Sequence, residues 1–190
     1  ETENLYGLAD VLSIFTASYD WKLASLDIEE KIDKKIYDMS INLLNEVMQF
    51  IKQKSFEEII NNNSKLFEYI GIAGYITNLY GTGRPESGSE HIFAKELESM
   101  IDIPHGISVS LGIIIMSIAQ GRKIDEIINS IYKLKVLDEQ YIYGINKDII
   151  QRCTRNLKPR NGRYTIVDKI FENNSYKDKC LEVFFDLIGF

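Results

Sequence analysis

The chain has little that would interrupt a helix. Its 190 residues include only three prolines, Pro85, Pro104 and Pro159, so long stretches carry no breaker. Cysteine is almost as scarce. Cys153 and Cys180 form no CxxC pair, and nothing else points to secretion, so they read as free thiols of a reducing, cytoplasmic compartment. No basic segment precedes an apolar stretch at the start, and no signal peptide is visible. The longest nearly apolar run, residues 107–119, is interrupted by Ser108, Ser110, Gly112 and Ser117 and is too short to span a bilayer. Positive charge is in deficit, with 22 Lys and Arg against 28 Asp and Glu and a net charge of -6. No global basic field exists to gather nucleic acid or an anionic membrane. There is no β-alternation of useful length, no internal repeat, and no Gly-rich strand-to-helix turn of the dinucleotide or P-loop kind.

What is present suits a globular helical chain. Apolar residues are 45% and charged residues 26%, enough for a proper core. Apolar positions recur at helical spacing over residues 8–26 and 27–54. Ser55 and Glu58 form a capping box that starts a further helix, interrupted by Asn61, Asn62 and Asn63 and resumed over 64–80. Residues 81–88 hold three glycines and Pro85, which is loop chemistry. Ser87 with Glu90 reads as a second capping box, launching a helix to about Met100. Pro104 breaks it, a buried helix covers 105–120, and Gly121 is a plausible stop. Helices over 123–136, 147–157, 165–171 and 176–188 complete an all-α reading: eight to ten helices in a single domain, residues 1–190, packed as a multi-helix bundle.

The chain has two histidines, His91 and His105, each beside a Gly/Pro segment. Two consecutive helices joined by a short break can bring both imidazoles to one point. With a carboxylate they would suit a divalent transition metal, and three protein ligands with an open position is the catalytic pattern. Histidines in helical proteins are more often packing or surface residues, and 28 acidic residues leave the carboxylate open.

The local sequence adds a resemblance. Gly83-Arg-Pro-Glu-Ser-Gly-Ser-Glu-His91, then Pro104-His-Gly-Ile-Ser-Val109, resembles the metal-binding half of glycerol-1-phosphate dehydrogenases, within the superfamily of iron-dependent alcohol dehydrogenases and dehydroquinate synthases. Gly7-Leu-Ala-Asp10, Thr16-Ala17, Asp20-Trp-Lys-Leu-Ala24 and Arg163-Tyr-Thr-Ile166 fit in the same order. The resemblance implies the C-terminal helical domain of such an enzyme, paired with a nucleotide-binding α/β domain that no segment of this chain matches. It implies metal ligation by Asp10, His91 and His105, with Zn, Fe or Ni suited to the set, and NAD(P) held by the nucleotide-binding partner. The implied substrate is small and phosphorylated, dihydroxyacetone phosphate or glycerol 1-phosphate. Lys95 stands where relatives often carry a further histidine. It is expected to be catalytic and, with Arg84 and Arg163, substrate-binding. A dehydroquinate synthase-like cyclase is the nearest alternative, disfavoured by Asp10 and Lys95. A non-catalytic helical remnant that binds a partner or a small ligand is the other, and an apolar patch left where the nucleotide-binding domain would pack could instead drive homo-oligomer formation.

Overall fold

The computed structural model describes residues 2–138 and 143–189, and among these every regular element is a helix, apart from one isolated antiparallel bridge between Arg160 and Arg163. The helices are α1 (Thr2–Val11), α2 (Ile14–Asp27), α3 (Lys34–Gln53), α4 (Phe56–Ile60), α5 (Asn63–Tyr80), α6 (Ser89–Glu98), α7 (His105–Ala119), α8 (Asp125–Lys133), α9 (Lys147–Asn156), α10 (Ile166–Ile170) and α11 (Asn174–Ile188). The all-α expectation holds. None of these helices is long and apolar enough to cross a membrane.

The central element is α7. Its apolar residues do not form a stripe but surround it, and nearly every one is buried, as expected of a helix with neighbours on all sides. It ends in a Schellman turn. Gly121 takes the left-handed conformation (φ 66°), the Gly121 amide donates to Ile118 O and the Arg122 amide to Ser117 O, as the sequence stop signal predicts. Helices α1, α6 and α11 pack on α7.

Two glycines set how closely they pack. A Cβ on Gly106 would lie 2.5 Å from Tyr6 Cα, and one on Gly112 would lie 2.5 Å from Glu90 O. Glycine at these points lets the backbones of α1 and α6 touch that of α7. The end of α1 and the starts of α6 and α7 are thereby drawn to one corner of the bundle.

Two expected helices are shorter than their periodicity suggests. Residues 8–26 do not form one helix: α1 ends at Val11 and α2 begins at Ile14. Short-range bonds from the Ser13 amide to Asp10 O and the Phe15 amide to Leu12 O close the break, and the Ser13 hydroxyl donates to Glu86 O across the fold. Asp20 and Trp21 therefore sit on a different helix from Asp10. Residues 28–33 are also outside any helix, with Glu29 at φ 58°. The Asp33 side chain accepts the Lys35 and Ile36 amides and starts α3, the usual N-cap arrangement. Ser55 and Glu58 do form a full capping box. Both cysteines are buried and free.

Candidate metal centre

Three helix ends supply the candidate site. Asp10 lies in the last turn of α1, His91 in the first turn of α6, and His105 opens α7. The Nε2 atoms of both imidazoles face one oxygen. His91 Nε2 is 3.2 Å and His105 Nε2 is 3.7 Å from Asp10 Oδ1, and the ring centroids are 5.3 Å apart. Ligand atoms from the three residues lie within 4.8 Å of one another, the only such grouping of three His, Cys, Asp or Glu side chains among the described residues. Asp10 Oδ1 is buried and makes no aligned hydrogen bond; its approach to the rings is one of distance alone. A buried carboxylate oxygen without a donor is costly. Ligands about 2.1 Å from one tetrahedral ion stand roughly 3–4 Å from each other. The two nitrogen-to-oxygen separations fall in that range, so the residues present fit a divalent metal.

The other nitrogen of each ring meets a second carboxylate. His91 Nδ1 is 2.8 Å from Glu90 Oε1, and His105 Nδ1 is 2.7 Å from Glu98 Oε1. Burial disfavours the charge on His91, but the Asp10 and Glu90 carboxylates outweigh it and raise its pKa to about 10 in the metal-free protein. Glu86, at the rim, accepts the Thr77 hydroxyl at 2.6 Å. Its pKa is raised, mainly by burial and further by the Asp10 charge, while Thr77 and His91 oppose.

Below the site lies a buried polar layer. Glu90 accepts the Gly88 amide and the Thr16 hydroxyl, both at 2.5 Å. Asp20 accepts the Ser89 amide at 2.7 Å, the Ile166 amide at 2.9 Å and the Gln120 side chain at 3.2 Å. The expected capping box between Ser87 and Glu90 does not form. Gly88 is the N-cap of α6 and makes no side-chain cap bond. Asp20 takes the Ser89 amide instead, while Ser87 turns to Arg163.

The predicted substrate contacts separate. Arg84 is buried, and its guanidinium grips Glu30 with two bonds of 2.9 and 3.0 Å and donates to Asp20 O and Tyr164 O. Through Nε and Nη2 it holds the 81–88 loop to α2 and to the chain before α10, while its Nη1 is buried without a hydrogen-bond partner. Arg163 is half-buried, with Nη1 donating to Ser87 O and Oγ at 2.8 and 2.7 Å; it braces the same loop from the other side. Lys95 is exposed and lines a pocket of about 540 Å³ with Lys158 and Arg160. Sequence reasoning missed Glu86, Glu98 and Ser108. Glu90 alone had a signal, because it precedes His91 in Ser-Glu-His.

Fold and site together define a class: an all-helical bundle with a candidate two-histidine, one-carboxylate metal centre at one corner. No protein-family model matches the chain. Curated relatives do. It is 30% identical over 168 residues to glycerol-1-phosphate dehydrogenase [NAD(P)+] of Thermococcus kodakarensis, covering 86% of this chain and 47% of that protein. It is 32% identical over 171 residues to the Pyrococcus abyssi enzyme of the same name (86% and 48%), and 29% identical over 185 residues to that of Thermoplasma acidophilum (93% and 51%). The chain is thus similar to glycerol-1-phosphate dehydrogenases over most of its length, consistent with a C-terminal fragment of that family, and its described residues are all-helical. It spans about half the length of the curated relatives it matches.

Proposed function

We propose that this chain is the metal- and substrate-binding half of an NAD(P)-dependent, glycerol-1-phosphate dehydrogenase-like oxidoreductase that interconverts dihydroxyacetone phosphate and glycerol 1-phosphate. The observation that carries the reading is the buried, undonated Asp10 Oδ1 facing the Nε2 atoms of His91 and His105. This nitrogen-rich set suits Zn first, then Fe or Ni. When bound, such an ion supplies Lewis acidity toward a substrate carbonyl, and a nicotinamide on a nucleotide-binding partner supplies the hydride.

The chain's own residues do the holding and the orienting. Asp10, His91 and His105 form the ligand set. Lys95 lies one turn beyond His91 on α6, about 6 Å along the axis. With Lys158 and Arg160 it lines a pocket that also holds Glu96, three cations against one carboxylate, and none of the three cations is ion-paired among the described residues. That pocket fits a phosphate, which several hydrogen-bonding cations recognise better than one. Arg84 and Arg163 act at a remove, fixing the loop from which α6 starts.

Calorimetric titration of the Zn-loaded chain with dihydroxyacetone phosphate tests this. Binding is expected to be lost in His105→Ala and weakened about tenfold in Lys95→Ala, the scale of a lost charge-assisted bond. Equal binding by the metal-loaded and metal-stripped chain would contradict the reading.

A further inference from the structure

Each imidazole of the cluster is held from behind by a carboxylate, and the two carboxylates differ in kind. Glu90 is fully buried. Besides His91 it accepts the Gly88 amide and the Thr16 hydroxyl, so its position is over-determined. Glu98 is partly exposed, its side chain 29% accessible, and it serves a His105 side chain that is 46% accessible. It reaches across the Pro104 break from the last residue of α6 to the first residue of α7. The Ser108 hydroxyl also donates to Glu98 and lies 2.8 Å from His105 O. A carboxylate at the C-terminal end of a helix opposes the helix dipole, so Glu98 gains nothing for α6 by standing there. Its gain is at the start of α7, where His105 is.

An ionised carboxylate only accepts hydrogen bonds. The ring nitrogen that meets it must therefore carry the hydrogen, and in the neutral ring the other nitrogen offers a lone pair. For both histidines the nitrogen held is Nδ1 and the nitrogen presented to Asp10 is Nε2. We infer that Glu90 and Glu98 are the positioning residues of the centre. Glu90 is a fixed anchor for His91. Glu98, steadied by Ser108, is the latch that sets the tautomer and direction of His105. This rests on the metal-binding reading above for its purpose, but not for its geometry. Partners of this kind hold ligand histidines in register for a metal, and their loss typically weakens binding about 10–100-fold.

Glu98 is the residue to test, because removing Glu90 would leave buried donors unsatisfied and could unfold the chain. Zn affinity is measured by competition with a chromogenic chelator for the wild type, Glu98→Ala and Glu98→Gln. In parallel, nitrogen-15 NMR of the imidazoles in the metal-free protein, at mildly alkaline pH, reads the tautomer directly. Glu98→Ala is expected to lose about 10–100-fold in Zn affinity and to release His105 from the Nδ1–H form. Glu98→Gln is expected to recover part of both, because its amide oxygen can still accept from Nδ1. Unchanged His91 signals report an intact fold. A His105 that stays in the Nδ1–H form in Glu98→Ala, or a Zn affinity equal to wild type, overturns the inference. If the wild type binds no Zn, the metal reading fails, and the tautomer measurement still decides the role of Glu98.

Discussion

Asp20 shows how much of the site depends on a residue that never touches it. Its two oxygens collect donors from the start of α6, the start of α10 and the end of α7. Those donors favour the carboxylate, but burial outweighs them and the nearby Glu90 charge adds to it, raising the pKa from 3.8 to about 7. The folded chain therefore holds a proton on Asp20 that the unfolded chain has released. Stability from this group is fully present below pH 3.8 and is lost as pH rises through about 7. Urea denaturation of the wild type should show this loss, and Asp20→Asn should flatten the slope over that window. Asn presents an amide where a donor already points, so the variant should also lose about 1–3 kcal/mol. An unchanged slope in Asp20→Asn would assign the pH dependence elsewhere. Arg84 is the complementary case: the sequence marks it as a substrate contact, whereas in the fold it pairs with Glu30, 54 residues away in sequence, and no local pattern announces that partner.

At the scale of elements, close backbone approach positions the ligands. Gly112→Ala places a Cβ against Glu90 O, a backbone atom that cannot swing aside. It should separate α6 from α7, costing about 1–3 kcal/mol by overpacking, and should weaken Zn binding as His91 shifts. Chemical denaturation and chelator competition check the two effects together. Lys177 is a second junction. Buried in α11, it donates to Arg155 O at 3.1 Å and Phe171 O at 2.8 Å, covering free carbonyls at the ends of α9 and α10. Lys177→Met should leave both carbonyls unpaired and lower stability by about 1–3 kcal/mol, read as a lower denaturation midpoint with the Asp10, His91 and His105 cluster undisturbed. Much at this scale was legible in the sequence. The apolar run of α7, its Gly121 stop and the Ser55 capping box are local signals and form as read. The break after Val11 was not legible, because neither proline nor glycine marks it. What helps to close it is a tertiary bond from Ser13 to Glu86 O.

At the scale of the molecule, the bundle brings three helix ends from distant parts of the chain to one corner. Two of the three residues gathered there were legible because the chain has only two histidines. Asp10 was not legible from residue type, being one of 28 acidic residues, and only the resemblance to glycerol-1-phosphate dehydrogenases singled it out. Glu98 carries no signal at all, since its role arises from the turn at Pro104 that folds α6 against α7. On the reading proposed above, these three ends form one metal site. Elemental analysis of the purified chain, alongside His105→Ala and Asp10→Asn, tests it most directly. About one equivalent of a divalent transition metal, lost from His105→Ala and reduced in Asp10→Asn, is the predicted result. A metal-free chain that takes up none on reconstitution, or a metal content unchanged in both variants, would contradict it.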